Sequence, residues 1–438
     1  MPVAFWCRRA WLDGGTVADV LVSADDGTIT SVEIGVPEPI GAVRLTGVVF
    51  PGFANAHSHA FHRALRGRTN GGGGTFWTWR SAMYRLAGRL DPDSYYELAR
   101  LVYAEMVLAG FTCVGEFHYL HHSPGGTPYA DPNAMGSALI AAAADAGIRL
   151  TLLDTCYLAG GLGPDGYAPL AGPQVRFGDG SVEGWAARVA SLNDSPSVRI
   201  AAAVHSVRAV PASALPAVAA FAAGRPVHVH LSEQPAENEA CQAYHGCSPT
   251  ELLAATGVLG PATTAVHATH LSASDVATLG STACFCPTTE ADLADGIGPA
   301  RSLADAGCSL ALGTDQHVSI DPFAELRGLE RGERLRSGCR GRFTPAELVA
   351  CATVAGHRSL GWPSGGRIAV GAPADLVSVR TDSPRTAGAH PDEVAFAADA
   401  SDVDIVVVGG RVVVRDGSHQ LVGTVGPALA RTIGDVVA

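Results

Sequence analysis

Two pairs of histidines and two carboxylates are the residues of this chain whose types and spacing could do chemistry. His57-Ser58-His59 sets two imidazoles two residues apart. In an extended chain that period points both to one side, close enough to share a metal ion. His228-Val229-His230-Leu231-Ser232-Glu233 repeats the spacing and adds a carboxylate three residues on, and His267 and the Gly313-Thr314-Asp315 run follow downstream. Each of these alone reads more readily as a satisfied core histidine or a helix-capping aspartate; the case for a metal centre rests on their coincidence. Water bound to zinc has its pKa lowered to about 7, which makes a nucleophile at neutral pH. Glu233 can stand beside such a centre without being a ligand, take the water's proton and deliver it to a nitrogen.

Elements that end in these residues must converge. From residue 49 the chain alternates short β-branched, apolar runs with Ala/Leu-rich segments of helical period, the pattern of repeated βα units and a parallel sheet. Eight runs are read: Val49 to His57, Phe111 to Leu120, Arg149 to Leu158, Val198 to Val207, Pro226 to Glu233, Thr263 to Leu271, Ser281 to Thr289 and Cys308 to Gln316. Strand ends around a closed barrel face one mouth, where barrels keep their active sites, so His57, His59, His230, His267 and Asp315 can meet on the barrel axis. Seven runs lead fairly directly into helices. After the first, the Gly71 to Gly74 run and Phe76-Trp77-Thr78-Trp79-Arg80 precede a helix expected to begin near Asp91. That glycine run reads as a mobile lid or as a slack surface loop. Outside the runs, alternating apolar residues around Asp-Gly and Gly-Gly turns indicate hairpins. The expected architecture is an α/β (β/α)8 TIM barrel over 49–364, inserted between the two halves, 1–48 and 365–438, of a small β-sandwich built from both chain ends.

Composition fits that reading. With 438 residues, 47% of them hydrophobic and 16% charged, the chain is expected to be globular rather than disordered. A formal charge of -12 argues against a nucleic-acid partner, which needs clustered Lys and Arg. The start, MPVAFWCRRAWLDGG, lacks the apolar stretch of a signal peptide, and no window is apolar enough to span a membrane. Ten cysteines without a C-x-x-C pair suggest neither a zinc ribbon nor a disulfide framework, so a reducing cytoplasm is expected.

Taken together, Phe53-Ala54-Asn55-Ala56-His57-Ser58-His59, His228-x-His230-x-x-Glu233, the His267 strand and the Gly-Thr-Asp315 strand resemble the amidohydrolase superfamily in its mononuclear deaminase branch. The resemblance covers nearly the whole chain. It implies that His57, His59, His230 and Asp315 bind one divalent metal, that Glu233 shuttles protons, and that His267, with Asp315, assists at the bound water. The branch that binds two metals uses a carboxylated lysine on strand four, and VRIAAAVHSV has no lysine there. Zinc is the expected ion, although three imidazoles and a carboxylate also suit iron or manganese. Relatives that dimerise make a homodimer the expected assembly.

For the substrate, the chain offers cations where purine and pyrimidine deaminases use amides and aromatic stacking. Arg80 follows the glycine run and Arg208 closes His205-Ser206-Val207-Arg208, both in loops at one barrel mouth. Paired guanidinium forks match a dicarboxylate. These segments, with NAHSHAFHRAL, HVHLSEQPAENEAC and GTDQHVSIDPFAELRGLE, resemble the formimidoylglutamate deiminase family of one histidine-degradation branch. By that resemblance, N-formimino-L-glutamate would be hydrolysed to N-formyl-L-glutamate and ammonia, held by Arg80, Tyr119, His205 and Arg208. The family pattern has glutamine where this chain has His62, and imidazole, unlike an amide, can become charged near neutral pH. The alternatives are a deaminase of purine or S-adenosylhomocysteine type, which shares the ligands but needs neither arginine, and a non-catalytic barrel that serves assembly, which would be expected to have lost ligands. Cys284 and Cys286 read as core packing, His121 and His122 as exposed loop residues, and His270 as a competitor of His267.

Overall fold

Runs such as Val198–Val204 (VRIAAAV) and Thr263–His267 (TTAVH) have almost no polar face, as strands covered on both sides require, and both are buried nearly throughout. In the computed structural model, which describes residues 2–71 and 74–438, these runs form one parallel sheet. Its strands are Phe53–Ser58, Phe111–His118, Arg149–Cys156, Val198–Val204, Val227–Leu231, Thr263–His267, Thr282–Phe285 and Ser309–Leu312, neighbours in space in the order of the chain. The ends of that sheet meet. Ser58 bridges to Asp315, and the amides of Thr314 and Asp315 donate to the His57 carbonyl at 3.1 and 3.0 Å. Gly313 makes the closure possible, because a Cβ there would lie 2.8 Å from the His57 carbonyl oxygen. Asn55 seals the seam, accepting from the Thr314 amide at 3.0 Å and donating to its hydroxyl at 2.7 Å. The result is a nearly closed (β/α)8 barrel.

Two expectations about the first barrel unit are corrected. The run Val49 to His57 divides at Gly52, where a Cβ would meet the Thr112 hydroxyl at 2.1 Å: Val49 to Pro51 finish an outer strand, Val43–Pro51, and only Phe53–Ser58 enters the barrel. The first helix also starts earlier than Asp91. Thr75 caps Phe76–Ala87, accepting from the Thr78 amide, and the helix buries Phe76, Trp79, Met83 and Leu86 at helical spacing. Asp91 instead caps the next helix, Pro92–Leu108. Of the glycine run, Gly72 and Gly73 lie outside the described residues, and the lid reading with them.

The second sheet has eight strands drawn from both chain ends, joined where Leu376–Val379 pairs antiparallel with Val43–Pro51. Asp13-Gly14 and Asp26-Gly27 turn its first hairpins with positive φ at both residues, which matches the right-handed twist of the flanking strands. Its residues alternate between two cores. Phe5, Val22, Leu45, Leu376 and Ile405 pack together on one face, while Val48, Phe50, Val377 and Val406 join the main core against the barrel helices. Among the described residues no helix is long and apolar enough to cross a membrane.

Candidate active site

Strand ends deliver the sequence candidates to one mouth. His59, His62, Arg80, Tyr119, His205, Arg208, His230, Glu233, His267 and Asp315 all line a single cleft. His57 lies directly beneath it, fully buried. His270 does not line the cleft, and its backbone carbonyl instead accepts from Asn238 at 2.6 Å.

At the floor, His57 Nε2 and His230 Nε2 stand 3.1 Å apart, and Asp315 Oδ1 lies 3.4 Å from the Nε2 atoms of both His57 and His59. The ligand-capable atoms of His57, His59 and His230 all fall within 4.8 Å of one another. The other ring nitrogens explain this orientation. His59 Nδ1 faces the Phe117 carbonyl at 2.9 Å and His230 Nδ1 the His205 carbonyl at 2.9 Å, so these atoms carry the protons and each Nε2 keeps a lone pair. Burial holds all three imidazoles neutral, His59 being pushed down to about 3 by burial and by the neighbouring His57, and His57 and His230 well below the usual histidine range. Converging lone pairs beside a carboxylate oxygen repel one another unless a cation lies among them. The donor set therefore fits a divalent ion of the zinc type.

Backbone conformation contributes to the convergence. Ser232, His267 and Asp315 have φ of 50°, 68° and 43°, a left-handed region that non-glycine residues rarely occupy and that clusters at functional sites. Above the floor, His267 Nε2 lies 3.8 Å from both Glu233 Oε1 and Asp315 Oδ2, and its Nδ1 3.3 Å from Glu290 Oε1. Burial alone would lower the His267 pKa; Glu233, Glu290 and Asp315 raise it well above the usual range.

The upper wall is aromatic and basic. Arg80 stacks over the rings of Trp77 and Tyr84 and donates to the Tyr84 hydroxyl at 2.8 Å. Arg208 donates from Nε to Glu237 at 2.8 Å and brings Nη2 to 3.6 Å from Glu233. His205 sits against the Tyr157 ring, with centroids 4.4 Å apart. His62 returns on the short helix Ala60–Leu65 to lie against His59 and contact the Tyr119 hydroxyl at 3.0 Å. Burial, then His59, holds His62 well below the usual histidine range, so the imidazole adds no charge at this position.

Three buried carboxylates escaped the sequence reading. Glu116 accepts from the Ser58 hydroxyl and the Ala60 amide, both at 2.7 Å, and so clamps the segment that carries both first-strand histidines; burial pushes its carboxyl up to about 7. Glu290 braces His267 and also accepts from the Cys286 amide at 2.8 Å. Glu237 braces Arg208. Each lies near a strand end in the chain, which is the one signal that could have singled it out. His121 and His122 are buried rather than exposed, drawn in by Asp154 and Asp179. Cys284 and Cys286 pack inside the barrel with Ala56, Val266 and Ala311.

The sequence profile of the amidohydrolase family matches residues 48–413. The chain is 37% identical to the formimidoylglutamate deiminase of Pseudomonas aeruginosa over 459 aligned residues, covering 99% of each chain. It is 31% identical to the 8-oxoguanine deaminase of the same organism over 387 residues, 85% of this chain and 83% of that one. Among solved structures, an amidohydrolase from Brucella melitensis superposes with a TM-score of 0.90 at 32% identity, both chains being covered in full.

Proposed function

This chain belongs to the amidohydrolase family, and from that premise we propose that it is a deiminase hydrolysing N-formimino-L-glutamate to N-formyl-L-glutamate and ammonia. The observation that carries the reading is the pair of guanidiniums, Arg80 and Arg208, bounding the cleft that also contains the histidine and aspartate cluster. A substrate with two carboxylates satisfies both cations, and the likeness to a formimidoylglutamate deiminase along the full chain supports the same substrate.

His57, His59, His230 and Asp315 would hold one divalent ion, zinc by preference. When bound, such an ion supplies Lewis acidity and lowers the pKa of a coordinated water towards neutrality. Water adds to the amidine carbon as Glu233 accepts its proton. Glu233 passes that proton to the imine nitrogen, then takes the proton of the adduct's hydroxyl and delivers it to the same nitrogen, which departs as ammonia as the carbon becomes the formyl carbonyl. His267, held between Glu233 and Asp315, orients the attacking oxygen and stabilises the tetrahedral adduct. Arg80, Arg208, Tyr119, His205 and His62 fix the substrate so that its amidine carbon faces Glu233, a contribution of several kcal/mol to the barrier reduction.

A purine deaminase is the second reading. It is favoured by the rings of Trp79, Tyr119, Tyr157 and Phe177 around the cleft, on which a flat base can stack, and by the likeness to an 8-oxoguanine deaminase. Ammonia release from N-formimino-L-glutamate, with adenosine, guanine and 8-oxoguanine run alongside, separates the two. Turnover of the formimino acid, abolished by chelation and lowered about a hundredfold or more in Arg208→Met, is the expected result. Activity on purines alone, unaffected by that substitution, would remove the dicarboxylate reading.

A further inference from the structure

Glu237 sits in the first turn of the helix Pro235–His245 and is 1% exposed. Both of its oxygens are engaged. Oε1 accepts from the Ser232 amide at 3.0 Å, which pins the left-handed residue between His230 and Glu233. Oε2 accepts from Arg208 Nε at 2.8 Å. The same guanidinium lies 3.6 Å from Glu233 through Nη2, near enough to attract but beyond hydrogen-bonding distance. Arg208 thus stands between two carboxylates and is bonded to only one of them.

Resting on the reading that Arg208 holds substrate and Glu233 moves the proton, we propose that Glu237 is a positioning residue that keeps Arg208 off Glu233. A buried guanidinium that loses its partner does not stay unpaired, because an uncompensated charge in a dry site is costly. Without the charge of Glu237, the nearest carboxylate for Arg208 is Glu233. The arginine would then desert the substrate carboxylate and pair with the group that must accept and release a proton. Glutamine at 237 isolates this effect, since its amide oxygen still accepts from the Ser232 amide while its charge is gone.

The consequence is a reversal that a merely structural carboxylate does not produce. In the full-length, metal-loaded protein, Glu237→Gln lowers kcat by about a thousandfold, some ten times more than Arg208→Met does, because only the former blocks Glu233. Removing Arg208 from the Glu237→Gln protein then raises kcat by about tenfold, back to the level of Arg208→Met alone. If the double variant is no faster than Glu237→Gln, or if Glu237→Gln turns over like the parent, the proposal is overturned. Should Glu237→Gln fail to fold, Glu237→Met, which removes the charge with a side chain of similar length, replaces it in the same cycle with the same rescue expected. Should the parent act on a purine rather than a formimino dicarboxylate, the function reading fails, while the rescue of kcat, measured with that purine, still decides the role of Glu237.

Discussion

Two buried clusters of histidine and carboxylate flank the barrel strands of this protein, and they balance their charge in opposite ways. At the mouth, Asp315 faces the Nε2 atoms of His57 and His59, and among the described residues no arginine or lysine pairs with it. On the outer side of the strands, Asp154 lies with His118 and His121 close enough for all three to hold an ion. There, however, Arg188 donates to both Asp154 oxygens at 2.8 Å, Trp185 adds a third bond at 3.0 Å, and Arg188 also reaches Asp179. His121 spends its Nε2 proton on the Thr155 carbonyl at 2.9 Å. Proximity of ligand types is thus the same in both clusters. What differs is whether the chain supplies its own cation: the outer cluster is compensated from within, and the mouth is left to the ion proposed above.

Removing one residue from each cluster tests the contrast most directly. His57→Ala is expected to lose bound metal and lower turnover by about a thousandfold or more, the several kcal/mol that a Lewis acid supplies. Elemental analysis alongside circular dichroism should show a folded protein without its ion; full metal content in this variant would dismantle the mouth assignment. Arg188→Met leaves Asp154 and Asp179 buried without their cation and should destabilise the fold by about 3 to 5 kcal/mol. Denaturant unfolding measures that loss, and metal content should not change.

Acid sharpens the same contrast. Burial would raise the Asp154 carboxyl, but Arg188 and His121 hold it at about 2, below its ordinary 3.8. A depressed folded value contributes stability that is complete above the unfolded value and is lost as pH falls from about 4 towards 2, on the order of 2 kcal/mol for this group. Arg188→Met should therefore move the acid unfolding midpoint to higher pH, whereas a midpoint unchanged by the substitution would mean that the pair contributes nothing. The smallest effect is expected from His121→Ala, about 1 to 2 kcal/mol for a lost buried hydrogen bond, with turnover and metal content retained. A fall in metal stoichiometry there would mean that the outer cluster binds an ion after all.

Much of this was written in one dimension. The period of two in His57-Ser58-His59 and His228-Val229-His230, the eight apolar runs and the Asp-Gly turns follow local rules that any stretch of chain obeys by itself, so the barrel and the candidate ligands could be read before folding. Arg208 was legible for a related reason, since a charged fork in a strand-end loop has few uses; Arg80, expected in a loop on the same ground, stands instead on the helix Phe76–Ala87, whose Thr75 cap starts it before the arginine. The first unit was less legible, because Val49 to His57 is apolar throughout and only the crowding of Gly52 against Thr112 shows where one sheet ends and the other begins.

Local patterning was enough to show which side chains could bind a metal and at which ends of which strands they would stand. Tertiary structure alone decided which of them have their charge met from within. Glu116, Glu237 and Glu290 act through residues 58, 29 and 23 positions away in the chain, and Arg188 neutralises Asp154 from 34 positions away. Such pairings depend on where the barrel closes and which helices cover it. Charge compensation is a property of distance in space, strongest between close groups in a medium of low dielectric, and no periodicity along the chain encodes it.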